Sequence, residues 1–442
     1  MMKTVLRVLA AAALCLLLGG CTLFTPVREL LAAPAYSARN EALRRAFESA
    51  FGRQTQYCAP ISGAYLSSFV VEDLDGDGDE EALVFFRPDT FTTTVRIGVL
   101  DFADGEWQRT AELEGGGSDV YSVELADLDN DGVREVVLCW STADNTRVMS
   151  VYACTDTPFS LRRLTETAYT AKLLADLDGD GQTEIFTLLL SSEGGVQTAH
   201  AYAARKKDLR IFTLDRIELD SRVSGYAGIY MHRAEPGCVL YADAYKGDDQ
   251  MITEVICFDA ETSSLSAPLF DPQTRTNERT WRSIPIRCRD LDGDGAPEIP
   301  CQSKMLPGAE ARRDGTLSEY PIYLTNWCAF RDGELVAVQD SLVHDDLRWQ
   351  FRIPDSMQGR FTLRAERDID AWSFVRFDPV TQSCGEQIFR AVFTTRTRWE
   401  ENRESVFAPY TLLCEENGDV LLAYGMTESD EQLRDAFEYI GG

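Results

Sequence analysis

The feature that most constrains the fold is an acidic loop that occurs four times. The third copy reads ADLDGDGQTEIFTLLL and crowds four acidic side chains into nine residues before an unbroken apolar run. The other copies begin at Asp73, Asp127 and Asp290, and all four place Asp at positions 1, 3 and 5, Gly at 6 and Glu at 9. Carboxylates this close repel one another unless a cation lies between them. The pattern therefore indicates a metal-binding turn placed directly before a buried strand.

The chemistry of these loops favours Ca²⁺. Alternate residues of a tight loop point the same way, the glycine permits the sharp turn, and the carbonyl at position 7 can face inward. Hard oxygen ligands in a flexible loop suit Ca²⁺ better than Mg²⁺, which demands stricter octahedral geometry. We predict up to four structural Ca²⁺ ions. Their side-chain ligands are Asp73, Asp75, Asp77 and Glu81; Asp127, Asp129, Asp131 and Glu135; Asp176, Asp178, Asp180 and Glu184; and Asp290, Asp292, Asp294 and Glu298. The backbone ligands are Asp79, Val133, Gln182 and Ala296.

These loops are not EF-hands. An EF-hand needs a bidentate Glu at position 12 and a helix after the loop. Position 12 holds Val84, Leu138, Thr187 and Cys301, and each loop leads into a strand-like run. A dockerin is excluded for the same reason, because its loop also leads into a helix.

The spacing of the loops predicts a repeated β unit. The copies begin 54, 49 and 114 residues apart, and the last gap is twice 57, so one unit without an acidic loop lies between the third and fourth copies. Its strands are in GYAGIYMH and CVLYADAYKGDDQMITEVICFD. A unit of about fifty residues holds four strands, which in the second copy we place at 119–126, 134–141, 147–154 and 159–164. Such a period is typical of β-propeller blades.

On these residues the repeats over 63–340 resemble the FG-GAP/VCBS family of calcium-binding propeller blades. The resemblance implies that positions 1, 3, 5 and 9 bind Ca²⁺ through side chains and position 7 through the backbone. The copies lack the FG and GAP tripeptides and so stand nearer the bacterial variants. The predicted fold is mainly β: a propeller of about five blades, with six or seven as the alternative, and a small C-terminal α+β domain.

The N-terminus predicts a lipid anchor. A basic start with Lys3 and Arg7 precedes the apolar stretch VLAAAALCLLL and then LGGC, which ends at Cys21. An apolar run this short fits a signal peptide better than a membrane span. The segment resembles the lipobox of bacterial lipoproteins, which implies that Cys21 carries a diacylglycerol. The alternative is an ordinary secretory signal with a chance cysteine. We expect the protein in the bacterial cell envelope, extracytoplasmic and anchored to the membrane through the lipid alone.

The rest of the chain completes the domain prediction. SARNEALRRAFESAFG has helical spacing, with Ser37 or Asn40 as the cap and Gly52 as the stop. Four strand-like runs follow residue 340, and ESDEQLRDAFEYI predicts a terminal helix with a capping box at Ser429 and Gln432. The predicted division is 1–20 signal peptide, 21–36 tether, 37–62 helix and lead-in, 63–340 propeller and 341–442 C-terminal domain.

Charge and cysteine content limit the partners and the covalent links. Removing residues 1–20 takes away two basic residues and changes the formal net charge from −29 to −31. A surface this acidic argues against nucleic acid and against adsorption to anionic lipid.

Ten cysteines remain besides Cys21, mostly inside apolar runs that favour buried thiols. Cross-strand disulfides are open for Cys139 with Cys154 or Cys238 with Cys257, but nothing requires them.

No catalytic motif stands out. The chain has no G-x-S-x-G elbow, P-loop or H-E-x-x-H, and His200, His232 and His344 are isolated in sequence. The one basic cluster, ARKKDLR, is most simply a solvated turn. Three functions therefore remain: a surface module that binds a protein or glycan, a polysaccharide hydrolase or lyase whose carboxylates are hidden among the acidic residues, and a structural part of an envelope assembly. We favour the surface module because propellers present broad faces on which a ligand can bind. This preference is based on fold analogy.

Overall fold

The computed structural model describes residues 38–142, 146–156, 159–191, 196–205, 210–306, 322–344, 346–366, 370–426 and 430–441. The signal peptide, Cys21, Ser37 and Ser429 lie outside these residues. The described residues form two compact units: one contains residues 38–59, 67–115, 156 and 159–160, and the other contains the remaining described residues. Among the described residues, no helix is both long and apolar enough to cross a membrane.

The first unit contains a helix and one sheet. Helix α1 spans Ala38–Phe51 and ends at Gly52, whose φ of +102° only glycine adopts easily. Leu43 and Phe47 lie four residues apart on one face of α1 and are buried against the sheet. The strands of the sheet are β1 Gln56–Tyr57, β2 Phe69–Glu72, β3 Glu81–Arg87, β4 Arg96–Ala103 and β5 Glu106–Glu114, with β1 and β2 both pairing with β3.

The second unit begins with three sheets of four strands each. Every sheet is a meander in which neighbouring strands in sequence pair with each other. The second sheet contains β6 Asp119–Ala126, β7 Glu135–Ser141, β8 Arg147–Asp156 and β9 Phe159–Tyr169. The third contains β10 Ala171–Ala175, β11 Glu184–Leu189, β12 Thr198–Arg205 and β13 Arg210–Glu218. The fourth contains β14 Gly225–Arg233, β15 Gly237–Tyr245, β16 Met251–Asp259 and β17 Ser264–Ser266.

Two five-stranded sheets complete this unit. The fifth has the order β18-β19-β20-β21-β27, with strands Ile299–Met305, Tyr323–Arg331, Glu334–Val343, Trp349–Arg352 and Phe437–Tyr439. The sixth has the order β22-β23-β24-β26-β25, with β22 Phe361–Glu366, β23 Ala371–Asp378, β24 Ser383–Thr395, β25 Thr411–Glu416 and β26 Asp419–Tyr424. Two short helices, α2 Arg396–Asn402 and α3 Glu431–Arg434, lie beside these strands in sequence.

Consecutive sheets of the second unit pack face to face. Val137 and Ile185 share one apolar cluster, which joins the second and third sheets. Phe186 and Leu240 share the next, between the third and fourth sheets, and the clusters continue to the sixth sheet. The second strands are buried almost throughout because both faces are covered, which explains their largely apolar sequences. The prediction of a mainly β fold is confirmed: the described residues form six antiparallel sheets that resemble propeller blades.

The structure corrects the predicted end of the chain. The sequence ESDEQLRDAFEYI predicts a terminal helix, but α3 ends at Arg434 and Phe437–Tyr439 is a strand. Residues Phe437–Tyr439 pair with the edge strand Trp349–Phe351, and the Phe437 ring packs against Phe351. Both interactions favour a strand over a helix at this position. The predicted boundary at 340/341 falls inside β20, and the division into domains otherwise stays a prediction.

Candidate metal centres

The four acidic loops occupy equivalent places in their sheets. Loops 73–81, 127–135 and 176–184 each connect two consecutive antiparallel strands: β2 to β3, β6 to β7 and β10 to β11. Loop 290–298 precedes β18, and a single bridge between Arg289 and Glu298 stands where the other sheets have a first strand. The fourfold sequence repeat is thus a structural repeat.

One hydrogen-bond pattern shapes every loop. The position-1 aspartate accepts from the backbone N–H of the position-6 glycine, at 3.2, 2.9, 3.1 and 2.9 Å in chain order. The position-5 aspartate accepts from the N–H of position 7 at 2.7–2.8 Å. Positions 4 and 6 both have positive φ, which glycine tolerates and which Asn130 tolerates in the second loop. The glycines are therefore required by the turn itself.

The turn gathers carboxylate oxygens within 4.8 Å of one another in each loop. The groups are Asp73, Asp75 and Asp77; Asp127, Asp129 and Glu135; Asp176, Asp178 and Glu184; and Asp290, Asp292 and Asp294. The remaining predicted carboxylates, which are Glu81, Asp131, Asp180 and Glu298, lie outside these groups. The predicted backbone ligands Asp79, Val133, Gln182 and Ala296 stay predictions.

The position-9 glutamate is buried in every loop, and in the second loop Asp129 is buried as well. Glu81, Glu135, Glu184 and Glu298 are at most 2% exposed. One oxygen of each accepts a hydrogen bond of 2.7–2.9 Å from the backbone N–H of the position-2 leucine. The glutamate thus closes the loop at the start of the second strand. Position 9 is also where the apolar run begins, which explains why charge and hydrophobicity adjoin in the sequence.

Burial changes the acidity of these groups. Desolvation raises the pKa of Glu81, Glu135 and Glu184 to about 7, although the leucine N–H groups act in the opposite direction. The pKa of Glu298 is raised for the same reason. The pKa values of Asp75 and Asp178 are raised by desolvation and by neighbouring aspartates. The pKa of Asp290, which is fully exposed, is lowered by the N–H groups of its own loop, that of Gly295 first.

The donor sets fit a hard divalent cation. Three carboxylates within one small loop form an oxygen-only group, the ligand type that Ca²⁺ and Mg²⁺ prefer. A cation would lower the pKa of the buried glutamate and remove the repulsion among the aspartates. The four clusters can therefore bind metal ions.

The fourth sheet has no acidic loop and contains buried ion pairs instead. Only Ala234, Glu235 and Pro236 separate β14 from β15. Arg282 pairs with Asp243 at 2.9 Å, and their side chains are 1% and 0% exposed. Asp243 also accepts from the Thr253 hydroxyl and the Cys288 N–H.

A second pair in this region joins Lys246 to Asp220 at 2.7 Å. Buried charges of this kind are tolerated because every partner is hydrogen-bonded. Sequence reasoning missed these pairs, since the partners lie 26 or more residues apart.

The histidines differ in their surroundings. His344 lies between Asp346 and Asp370, at 2.8 and 3.1 Å, and packs against Phe393. Burial alone would lower the pKa of His344, but the two carboxylates raise it to about 9. His200 hydrogen-bonds to Thr198, and burial, aided by Arg216, lowers its pKa. His344 is thus part of a charged cluster that its isolation in sequence concealed.

The ten described cysteines form no disulfide with one another. The two candidate pairs are offset in register: Cys139 lies opposite Met149 rather than Cys154, and Cys238 lies opposite Phe258 rather than Cys257. Most of these thiols are buried, as their apolar sequence surroundings predicted.

No protein-family model and no curated protein matches the chain. Similar solved structures include a protein assigned as a 6-phosphogluconolactonase from Bacteroides uniformis, with 13% identity, a TM-score of 0.31, and coverage of 75% of this chain and 94% of that one. An exo-type rhamnogalacturonan lyase has 12% identity, a TM-score of 0.30, and coverage of 76% and 83%. The periplasmic gluconolactonase of Pseudomonas aeruginosa has 15% identity, a TM-score of 0.24, and coverage of 66% and 90%. Sequence identities and TM-scores this low assign no activity to the chain. Its architecture is described from its own sheets alone.

Proposed function

We propose that the protein is a calcium-stabilised binding module, anchored by a lipid on Cys21 at the bacterial cell surface, which presents its sheets to a protein or glycan. The observation that supports this proposal is the acidic loop, which precedes a strand in four sheets and has the same hydrogen bonds and buried glutamate in each. The resemblance to FG-GAP/VCBS blades supports Ca²⁺ as the ion.

The ions have a structural role in this proposal. Each loop leads into a strand whose apolar side chains are part of the core, and each position-9 glutamate is buried beside that core. Without a cation, the loop would keep several like charges close together. Extracellular calcium modules bind at about 10⁻⁴–10⁻³ M, so calcium outside the cell would fill such sites and stabilise the folded state by mass action.

Chelation tests the structural role. The protein lacking residues 1–20 should melt at a lower temperature in EDTA than in millimolar Ca²⁺, and adding Ca²⁺ back should restore the melting temperature. Mg²⁺ at the same concentration should restore less of it. An unchanged melting curve in EDTA would remove calcium from the proposal.

Two further experiments test the binding role and the anchor. A glycan array and a pull-down from envelope extract should each be run beside a turnover screen on the same polysaccharides. Binding without turnover supports a module, whereas turnover would show an enzyme.

Replacing Cys21 with serine should move the protein from the membrane fraction to the soluble fraction, and unchanged partitioning would contradict the lipid anchor.

A further inference from the structure

A polar cavity lies where the first strands of three consecutive sheets meet. Its volume is about 410 Å³, within the size range of small-molecule sites. β6, β10 and β14 all contribute to its lining. All residues of β10 and most residues of β14 are half-buried. The strands that pair with them, β11 and β15, are almost entirely buried. The first strands therefore line a solvent-accessible space.

The cavity lining carries more positive than negative charge. It includes Lys172, Arg147 and one carboxylate, Glu124. The Lys172 ammonium donates to both oxygens of Glu124, at 2.5 and 2.6 Å, so these two charges compensate each other. Lys172 is only 9% exposed, which fixes the pair as part of the wall.

Among the described residues of the lining, Arg147 supplies the charge that no carboxylate compensates. Its guanidinium lies 4.0 Å from the centre of the Tyr121 ring and donates to the Thr170 carbonyl at 3.3 Å. No carboxylate of the described residues pairs with Arg147. In a chain with 72 acidic and 43 basic residues, such an arginine in a cavity is unusual. A guanidinium held by a ring and a carbonyl is pre-oriented for a carboxylate ligand.

Aromatic rings and strand edges complete the lining. The rings of Tyr169 and Tyr226 contribute to the wall, and each buries a hydroxyl group without a nitrogen or oxygen partner among the described residues. Among the described strands, β10 and β14 each pair along one edge, which leaves the other edge open. Ala171, Ala227 and Gly228 have small side chains near the open edges. Strand edges offer both donors and acceptors, a mixture that hydroxyl groups match because each hydroxyl can donate and accept.

We propose that this cavity binds a small acidic sugar, with the sugar carboxylate on Arg147 and its hydroxyl groups on the edges of β10 and β14. The inference depends on the proposed binding function and narrows its ligand class. It predicts that neutral sugars of the same ring shape bind more weakly, because they lack the group that pairs with Arg147.

Calorimetric titration tests the inference on the protein lacking residues 1–20, kept in Ca²⁺. The probes are D-glucuronate, D-galacturonate, D-mannuronate and N-acetylneuraminate, each also as a short oligomer, beside D-glucose, D-galactose and D-mannose. At least one acid should bind ten times or more tighter than the neutral sugars. If no acid binds, or if acids and neutral sugars bind equally, the inference is overturned.

Variants locate the site. Arg147→Gln should weaken binding of the acid at least tenfold, and Arg147→Lys should restore part of it because the charge returns. Arg163→Gln is the matched control, since Arg163 lies on β9 of the same sheet, is paired with Glu166 and does not line the cavity. Melting curves establish that each variant is folded. Equal affinity in Arg147→Gln and Arg163→Gln would place the ligand elsewhere.

The outcomes separate this inference from the broader function. Binding of a neutral glycan or a protein in the array and pull-down, with no acidic sugar bound, would leave the module intact and reject this ligand. Absence of any ligand in all three experiments would reject both.

Discussion

At the residue scale, burial decides which charged groups are structural. The position-9 glutamates are at most 2% exposed and each accepts a backbone hydrogen bond, whereas the Asp290 carboxylate at position 1 is exposed. The same loop thus holds an anchored acid on the core side and solvated acids on the other. His344 shows a related effect, because two aspartates keep it charged although it is only 4% exposed.

The His344 cluster predicts a pH dependence of stability. The pKa of His344 is about 9 in the folded protein, above its ordinary value of 6.5. Its contribution to the free energy of unfolding is therefore complete below about pH 6.5 and is lost as the pH rises through 9. A difference of this size corresponds to at most about 3 kcal/mol. Because Asp370 is exposed to solvent, which weakens its ion pair, we expect about 2 kcal/mol.

Urea unfolding in saturating Ca²⁺ at several pH values measures this contribution. The parent protein should become less stable between pH 6.5 and 9, and His344→Asn should show little of this decrease. His200→Asn, the matched control, should show the same decrease as the parent. Parallel pH profiles for the two variants would contradict the assignment.

At the element scale, each acidic loop is closed by hydrogen bonds of its own, and the third loop also accepts one from Arg233 of β14. Its backbone hydrogen bonds are accepted by its own carboxylates, and its glutamate returns to its own second residue. Loss of one loop should therefore leave the others able to bind, in line with the nearest-neighbour behaviour of repeated units.

Asp178→Ala tests the independence of the loops. The variant should bind one Ca²⁺ fewer than the parent, while the melting transition remains cooperative and shifts downward. Asp248→Ala changes an exposed aspartate in the β15–β16 turn, outside all four loops, and should bind as many ions as the parent. Elemental analysis after equilibration in Ca²⁺ counts the ions, and loss of all ions in Asp178→Ala would show that the loops are coupled.

At the scale of the molecule, the second unit is a series of sheets joined by apolar clusters. The last strand, β27, returns to the fifth sheet after the chain has formed the sixth. Phe437 of β27 lies 4.8 Å from Phe351 of the fifth sheet and 6.1 Å from Phe374 of the sixth, measured between ring centroids. The end of the described chain therefore ties two sheets together.

Phe437→Ala should lower the free energy of unfolding by about 2 kcal/mol, because a half-buried ring and its aromatic contacts are lost. Phe91→Ala is the control: Phe91 is 92% exposed, and its loss should change stability by less than about 0.5 kcal/mol. Chemical denaturation measures both values. Equal effects of the two substitutions would mean that β27 does not stabilise the sheets.

The sequence by itself determined the repeated features, because they depend on local chemistry. The acidic loops, their glycines and the four strands of the second sheet follow from spacing and alternation within about fifty residues, and the unit without an acidic loop follows from a doubled gap. Helix α1 and its end follow from apolar periodicity and from the glycine at position 52.

Only the tertiary structure decided the features that join distant residues. The strand at Phe437–Tyr439, the His344 cluster, the Arg282–Asp243 pair and the cavity at Arg147 all bring together groups from separate elements. No local pattern marks such partners, since each side chain alone fits an ordinary helix or strand. Their environment, and hence their charge state and role, is fixed by packing between sheets.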